Sequence, residues 1–64
     1  MKKTFPKLNL TIELSNDTIL LRETSTNDLL RAKTFKASEV LDKYHSLIKS
    51  YGEKEARKST FTAK

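Results

Sequence analysis

The chain has 64 residues, of which 36% are hydrophobic and 33% are charged, with one glycine, one proline and no cysteine. This length holds one small domain. The absence of cysteine excludes disulfides, cysteine-based zinc sites and thiol nucleophiles. A core this small leaves little surplus stability, so we expect a partner to supply some of it. The formal net charge of +5 favours encounter with nucleic acid, an anionic membrane or an acidic protein surface.

The sequence contains no segment suited to export or to crossing a membrane. The chain begins with Met1 and two lysines, but Pro6 and the polar residues after it prevent an apolar signal core. The longest apolar run is residues 19–21, far short of the roughly 20 residues of a membrane helix. We therefore expect a soluble protein of the cytoplasm, where reducing conditions suit a chain without cysteine.

A β-hairpin is the clearest element of the sequence. Residues 1–6 precede it and are predicted to be flexible, with Phe5 as an anchor on the core. Residues 8–14 alternate apolar and polar side chains without a fault, which is the period of a half-buried strand. Residues 15–18 supply turn chemistry, and residues 18–24 are predicted to form the returning strand.

The turn also predicts the register of the hairpin. With Asn16 and Asp17 at its centre, one face of the ribbon is almost wholly apolar. The pairs on that face are Leu14 with Ile19, Ile12 with Leu21, and Leu10 with Glu23. On the other face, Glu13 and Arg22 lie within reach of a weak ion pair. Leu20 is a lone hydrophobe on this solvent-facing side.

Residues 26–51 are predicted to form one long or two shorter amphipathic helices. Residues 25–28 fit a capping box, in which the Ser25 hydroxyl would accept a hydrogen bond from the Asp28 backbone. Gly52 is a natural C-terminal stop. Apolar or small residues recur in between at helical spacing, namely Leu29, Leu30, Thr34, Ala37, Val40, Leu41, Tyr44, Leu47, Ile48 and Tyr51.

One helix over residues 26–51 would be longer than the hairpin can cover. It would span about 39 Å, against about 23 Å for a seven-residue strand. We favour a break near residues 34–38, where Ser38 offers a second N-cap. The unbroken alternative predicts a dimer through the Tyr44–Tyr51 end. The predicted fold is a single α+β domain, ββα or ββαα, over residues 7–52, followed by a flexible basic tail at residues 53–64.

The residues with chemical potential do not form a catalytic or metal-binding pattern. His45 is the only histidine, and Asp42 precedes it on the same side of the predicted helix. A base without a nucleophile beside it is typical of an ordinary boundary residue. Paired histidines at metal-ligand spacing and glycine-rich phosphate loops are both absent. We expect no enzymatic activity, no metal, no cofactor and no small-molecule substrate.

Binding to another protein is the favoured functional hypothesis, as an adaptor or an inhibitor. It would use an exposed hairpin edge and the helix, because open strand edges accept further strands and tyrosines are good interface anchors. The candidate contacts are Leu20, Tyr44, Leu47 and Tyr51. The competing interpretation is that hydrophobic residues such as Leu47 and Ile48 close the domain's own core.

Nucleic-acid binding through phosphate contacts is the alternative hypothesis. Its candidate residues are Arg31, Lys33, Lys36, Lys43, Lys49, Arg57 and Lys58. Asp28, Glu39 and Asp42 lie at helical spacing among these bases, which also suits a solvated, self-paired helix face. The same two acids, Glu39 and Asp42, argue against attachment to an anionic membrane.

Residues 21–30 read Leu-Arg-Glu-Thr-Ser-Thr-Asn-Asp-Leu-Leu. This string resembles the junction of a strand and a capped helix in small bacteriophage assembly proteins, including tail-assembly chaperones. It covers 10 of the 64 residues, and a capped helix after any strand produces such a string. The resemblance implies an accessory protein of a phage or mobile element, and it assigns no site residue.

Overall fold

The computed structural model describes the backbone of residues 1–62 and the side chains of residues 1–58. Its elements are β1 (Lys2–Phe5), a 3-10 turn (Pro6–Leu8), β2 (Leu10–Ser15), β3 (Thr18–Glu23), β4 (Leu29–Thr34) and α1 (Val40–Thr62). The strands form one antiparallel sheet in the order β1-β2-β3-β4. The helix packs on one face of this sheet, so the predicted single α+β domain is confirmed.

The hairpin of β2 and β3 has the predicted register. Leu14 lies opposite Ile19, Ile12 opposite Leu21 and Leu10 opposite Glu23. The turn between the strands contains Asn16, which has a φ of 56°. Asparagine tolerates this left-handed conformation better than most residues, so the turn forms without glycine. On the outer face, Arg22 Nε lies 3.7 Å from Glu13 Oε1, which confirms the predicted ion pair.

The N-terminal residues form a strand where the sequence predicted a flexible segment at 1–6. β1 pairs antiparallel with β2, and Met1 continues the ladder because its carbonyl accepts a hydrogen bond from the Leu14 amide. Phe5 is only 2% exposed, which confirms its predicted role as an anchor. A four-residue strand with one buried side chain has no pattern of its own, so pairing with β2 and burial of Phe5 together stabilise it.

The segment 25–28 is a turn between β3 and β4, so the predicted capping box and the helix start at residue 26 are wrong. Asn27 has a φ of 63°. The Thr26 hydroxyl donates to Glu23 Oε1 at 2.8 Å and accepts from the Asp28 amide at 3.3 Å. The same polar residues that cap helices also close turns, which explains the error. The resemblance to a strand and capped-helix junction therefore has no structural counterpart.

An interruption does lie near residues 34–38, because β4 ends at Thr34 and α1 begins at Val40, but it separates a strand from the helix and not two helices. The predicted two-stranded sheet of a ββα or ββαα unit is therefore corrected to four strands followed by one helix. The turn before α1 is closed by hydrogen bonds from the amides of Glu39 and Val40 to the Lys36 carbonyl. A continuous helix over residues 26–51 is wrong. The dimer through the Tyr44–Tyr51 end was predicted only for that continuous helix, so the length argument for it no longer applies.

The helix continues through Gly52 instead of ending there. Gly52 has no positive φ, and a Cβ atom at this position would lie 3.8 Å from Phe5 Cε1. Glu55 lies farther along the same face and accepts a hydrogen bond from the Lys7 amide at 2.9 Å. Residues 53–62, predicted as part of a flexible tail, are therefore helical. The last two residues of that predicted tail lie outside the described part of the chain.

The core lies between α1 and the inner face of the sheet. Its buried members are Phe5, Leu10, Ile12, Ile19, Val40 and Tyr44. They are surrounded by half-buried hydrophobic residues, namely Leu8, Leu14, Leu21, Phe35, Leu47, Ile48 and Tyr51. Over the described residues, the helix is too polar to span a lipid bilayer.

Candidate functional site

The inner face of β4 carries basic side chains where the neighbouring strand carries apolar ones. Lys33 lies opposite Ile19, and Arg31 lies opposite Leu21. Residues directly opposite in a sheet share a face, so both bases project toward the helix side. The leucines of β4 are left open to solvent, with Leu29 52% exposed. In β4, therefore, basic side chains lie on the inner face of the sheet and leucines are exposed, the reverse of the arrangement in β2 and β3.

A groove of about 430 Å³ lies between this basic strand and the helix. Ile19 and Leu21 of β3 contribute its apolar part from the sheet, and Phe35 lies just after β4. From the helix, the groove is lined by Lys43, Ser46, Leu47, Ser50 and Tyr51. An apolar floor therefore lies between cations from β4 and a cation from α1.

The groove cations have no carboxylate partner among residues 1–58. The ion pair described there joins Glu13 to Arg22 on the opposite face of the sheet. Instead, Lys33 Nζ lies 5.4 Å from the ring centroid of Phe35. Such cation–π contacts at exposed sites contribute about 0.5–1 kcal/mol. The self-paired helix face proposed for this region is therefore not seen among the described side chains.

The structure separates the four residues predicted to bind protein. Tyr44 is 5% exposed and belongs to the core. Leu20 is half-buried on the outer face of the sheet, opposite Ala32. Only Leu47 and Tyr51 come together, and both line the groove. The predicted hairpin edge is not open either, because β1 and β4 pair with its two strands.

The structure divides the seven residues predicted to contact nucleic acid in a similar way. Arg31, Lys33 and Lys43 line the groove. The others are exposed elsewhere, Lys36 in the turn before α1 and Lys49, Arg57 and Lys58 on α1. Lys49 follows Lys43 by six residues, which places it about 120° around the helix axis from Lys43, and it does not line the groove. The groove thus combines part of each predicted set.

His45 lies outside the groove lining and is exposed. Its ring centroid is 5.9 Å from that of Tyr44, so the imidazole packs on the edge of the core. Burial raises the pKa of the Tyr44 hydroxyl above its usual value. No group of three or more potential metal ligands is formed within the part of the chain that the structure describes.

Five residues that line the groove belong to neither predicted binding set, namely Ile19, Leu21, Phe35, Ser46 and Ser50. Phe35 was not identified as a site residue because the sequence predicts a helix over residues 29–34. The alternation of Leu30, Ala32 and Thr34 with two bases was the available signal for a strand, and a strand would have placed both bases on one face. No family model, no curated protein and no solved structure matches the chain.

Proposed function

We propose that this chain is a non-enzymatic protein-binding module, of the adaptor or inhibitor type, and that its partner binds in the groove between α1 and β4. The observation that supports this most directly is the pair of bases on the inner face of β4. Polar residues at positions where a fold would otherwise place apolar ones usually have a functional reason. Arg31 and Lys33 occupy such positions beside Ile19 and Leu21.

The composition of the groove suits a protein segment. Tyr51 and Leu47 present apolar surface, and large aromatic side chains are frequent anchors of interfaces. Arg31, Lys33 and Lys43 surround this surface with positive charge, which speeds encounter with an acidic partner and selects its orientation. Arg31 and Lys33 are also exposed, so the groove opens to solvent along β4. A continuous chain can enter such an opening.

Nucleic-acid binding is the second candidate, supported by the spacing of bases along α1. Arg57 follows Lys43 by 14 residues, or about four turns, so both lie on the groove side of the helix. A phosphate backbone could contact this row without using the apolar floor. This candidate therefore predicts that Leu47 and Tyr51 contribute little to binding, and protein binding predicts the reverse.

A pair of matched charge variants tests the proposal. A photoreactive amino acid replaces Ser50 in the groove, and cross-linking is carried out in cells that produce the chain. Lys33→Gln removes a groove cation, whereas Lys49→Gln removes the same charge outside the groove. We expect cross-linked protein that survives nuclease treatment, decreases by several-fold with Lys33→Gln and is unchanged with Lys49→Gln.

Two results would contradict protein binding. The first is a cross-linked product that nuclease destroys, with binding to a DNA or RNA oligonucleotide that Arg57→Gln weakens and Leu47→Ser leaves unchanged. The second is protein cross-linking that neither Lys33→Gln nor Leu47→Ser reduces, because then the groove does not select the partner. Both variants are checked for folding by circular dichroism, and Lys33→Gln is expected to retain the fold because Lys33 is exposed.

A further inference from the structure

The helix leaves part of the sheet's inner face open, and the opening is one helix wide. Four strands about 4.8 Å apart make a face roughly 19 Å wide. A helix with its side chains is about 10 Å across. The helix α1 packs on β1, β2 and β3 and on the 3-10 turn. The remaining strip, over β3 and β4, therefore has room for one more helix beside α1.

The side chains around this strip indicate the chemistry of the missing element. Its centre is apolar, with Leu21 from the sheet and Leu47 from α1. Its two sides are basic, with Arg31 on β4 and Lys43 on α1. A helix with an apolar stripe between two acidic flanks complements this arrangement.

We propose that the groove binds an acidic amphipathic helix of a partner protein, which lies beside α1 over β3 and β4. This proposal rests on the proposed function as a protein-binding module. Each six-residue strand is about 20 Å long, so a helix of about 14 residues would fill the strip. Lys33, which lies over the Phe35 ring in the free protein, would turn to a carboxylate of the partner.

Two other occupants fit less well. A strand added to the free edge of β4 would lie beyond Arg31 and Lys33, so Leu21 and Leu47 would stay uncovered. A second copy of this chain would bring its own β4 bases against the same bases, and like charges opposite one another in a sheet repel. An acidic helix covers the apolar strip and pairs the bases at the same time.

Synthetic peptides of about 14 residues test this proposal on the full chain. The first has leucines at helical spacing and glutamates elsewhere. The second has the same composition in an order that destroys the apolar stripe, and the third has lysine in place of glutamate. Binding is measured by NMR chemical shifts of the protein and by the helical circular dichroism of the peptide.

We expect the first peptide to bind and gain helicity, with shifts centred on the Leu21 and Leu47 methyl groups. The other two peptides should bind at least about tenfold more weakly. The double variant with Arg31→Gln and Lys33→Gln should bind the first peptide with about tenfold lower affinity, as expected for the loss of two exposed charge contacts. Lys49→Gln, outside the groove, should leave its affinity unchanged.

The failures of the two proposals are distinguishable. If an extended peptide of alternating acidic and apolar residues binds at least as tightly and mainly shifts the β4 amides, strand addition replaces the helix, and protein binding stands. If a DNA or RNA oligonucleotide shifts the groove residues and none of the peptides does, both proposals are overturned. If neither peptide nor oligonucleotide binds, the acidic-helix proposal is overturned, and the cross-linking experiment decides the broader one.

Discussion

Replacing Gly52 by alanine tests the course of α1 past the point where the sequence predicted its end. Glycine inside a helix costs about 0.5–1 kcal/mol relative to alanine, because it loses more backbone entropy on folding. The added Cβ atom would lie 3.8 Å from Phe5 Cε1, an ordinary van der Waals contact, so no neighbour has to move. Burial of most of a methyl group adds up to about 0.8 kcal/mol.

We therefore expect Gly52→Ala to raise the free energy of unfolding by about 1–1.5 kcal/mol. For a domain of this size the corresponding rise in Tm is about 5–10 °C. The assay is urea and thermal unfolding followed by circular dichroism. Ala56→Gly is the matched control, since it removes a methyl group from an exposed position of α1 and should cost about 1 kcal/mol.

The opposite sign for Gly52→Ala would refute this reasoning. If Gly52 stood just past the end of the helix in a left-handed conformation, alanine would destabilise the protein by about 1 kcal/mol. In that case Ala56→Gly would have almost no effect, because residue 56 would lie outside the helix. The two substitutions together therefore distinguish a helix that ends at Gly52 from one that continues to Thr62.

Two further predictions concern the sheet and the core. Asn9 has a φ of 54°, donates hydrogen bonds to Glu23 and Ser25 at 3.1 and 3.0 Å, and accepts one from the Ser25 amide at 2.9 Å. In urea unfolding, Asn9→Ala should lower the free energy of unfolding by about 2–3 kcal/mol. Asn9→Gly should lower it less, because glycine tolerates the same positive φ. Equal losses in the two variants would contradict a contribution from the backbone conformation of residue 9. Because burial raises the pKa of Tyr44, the unfolded chain releases this proton at lower pH than the folded chain, so stability should fall above pH about 10. We expect Tyr44→Phe to show a smaller loss of stability between pH about 8 and 10.5 in urea unfolding than the native chain; an equal loss in the two proteins would contradict this assignment.

The register of the hairpin could be predicted because two independent signals agreed, although its first strand begins at Leu10 and not at residue 8. The alternation in residues 8–14 selects one face for burial, and the turn at Asn16 then determines which residues pair. A shift by one residue would expose Ile12, which is 0% exposed in the fold. Local pattern and tertiary burial thus favour the same register, and this agreement is what allows the register to be predicted from the sequence.

The first strand and the continuation of α1 through Gly52 could not be predicted because their stability comes from contacts distant in sequence. The ring centroid of Phe5 lies 6.3 Å from that of Tyr51, and Phe5 also lies beside Gly52. Both partners are more than 40 residues away in the sequence. Glu55 is tied to the Lys7 amide. Neither contact can be inferred from the hydrophobic periodicity of the segment in which its residues lie. Residues 5–7 and residues 51–55 of α1 instead stabilise one another.

The misassigned segment and the candidate site are the same part of the chain, and one physical cause explains both. A strand that only closed a core would place its leucines inward, and residues 29–34 would then have been recognised by their alternation. Arg31 and Lys33 lie inward instead, and Leu29 and Leu30 are 52% and 59% exposed. Inward-pointing charges on an edge strand discourage pairing with another chain, and here they also leave Leu21 and Leu47 beside them only half-buried. A partner that brings carboxylates to these two bases and apolar side chains to Leu21 and Leu47 would restore both the charge balance and the missing burial.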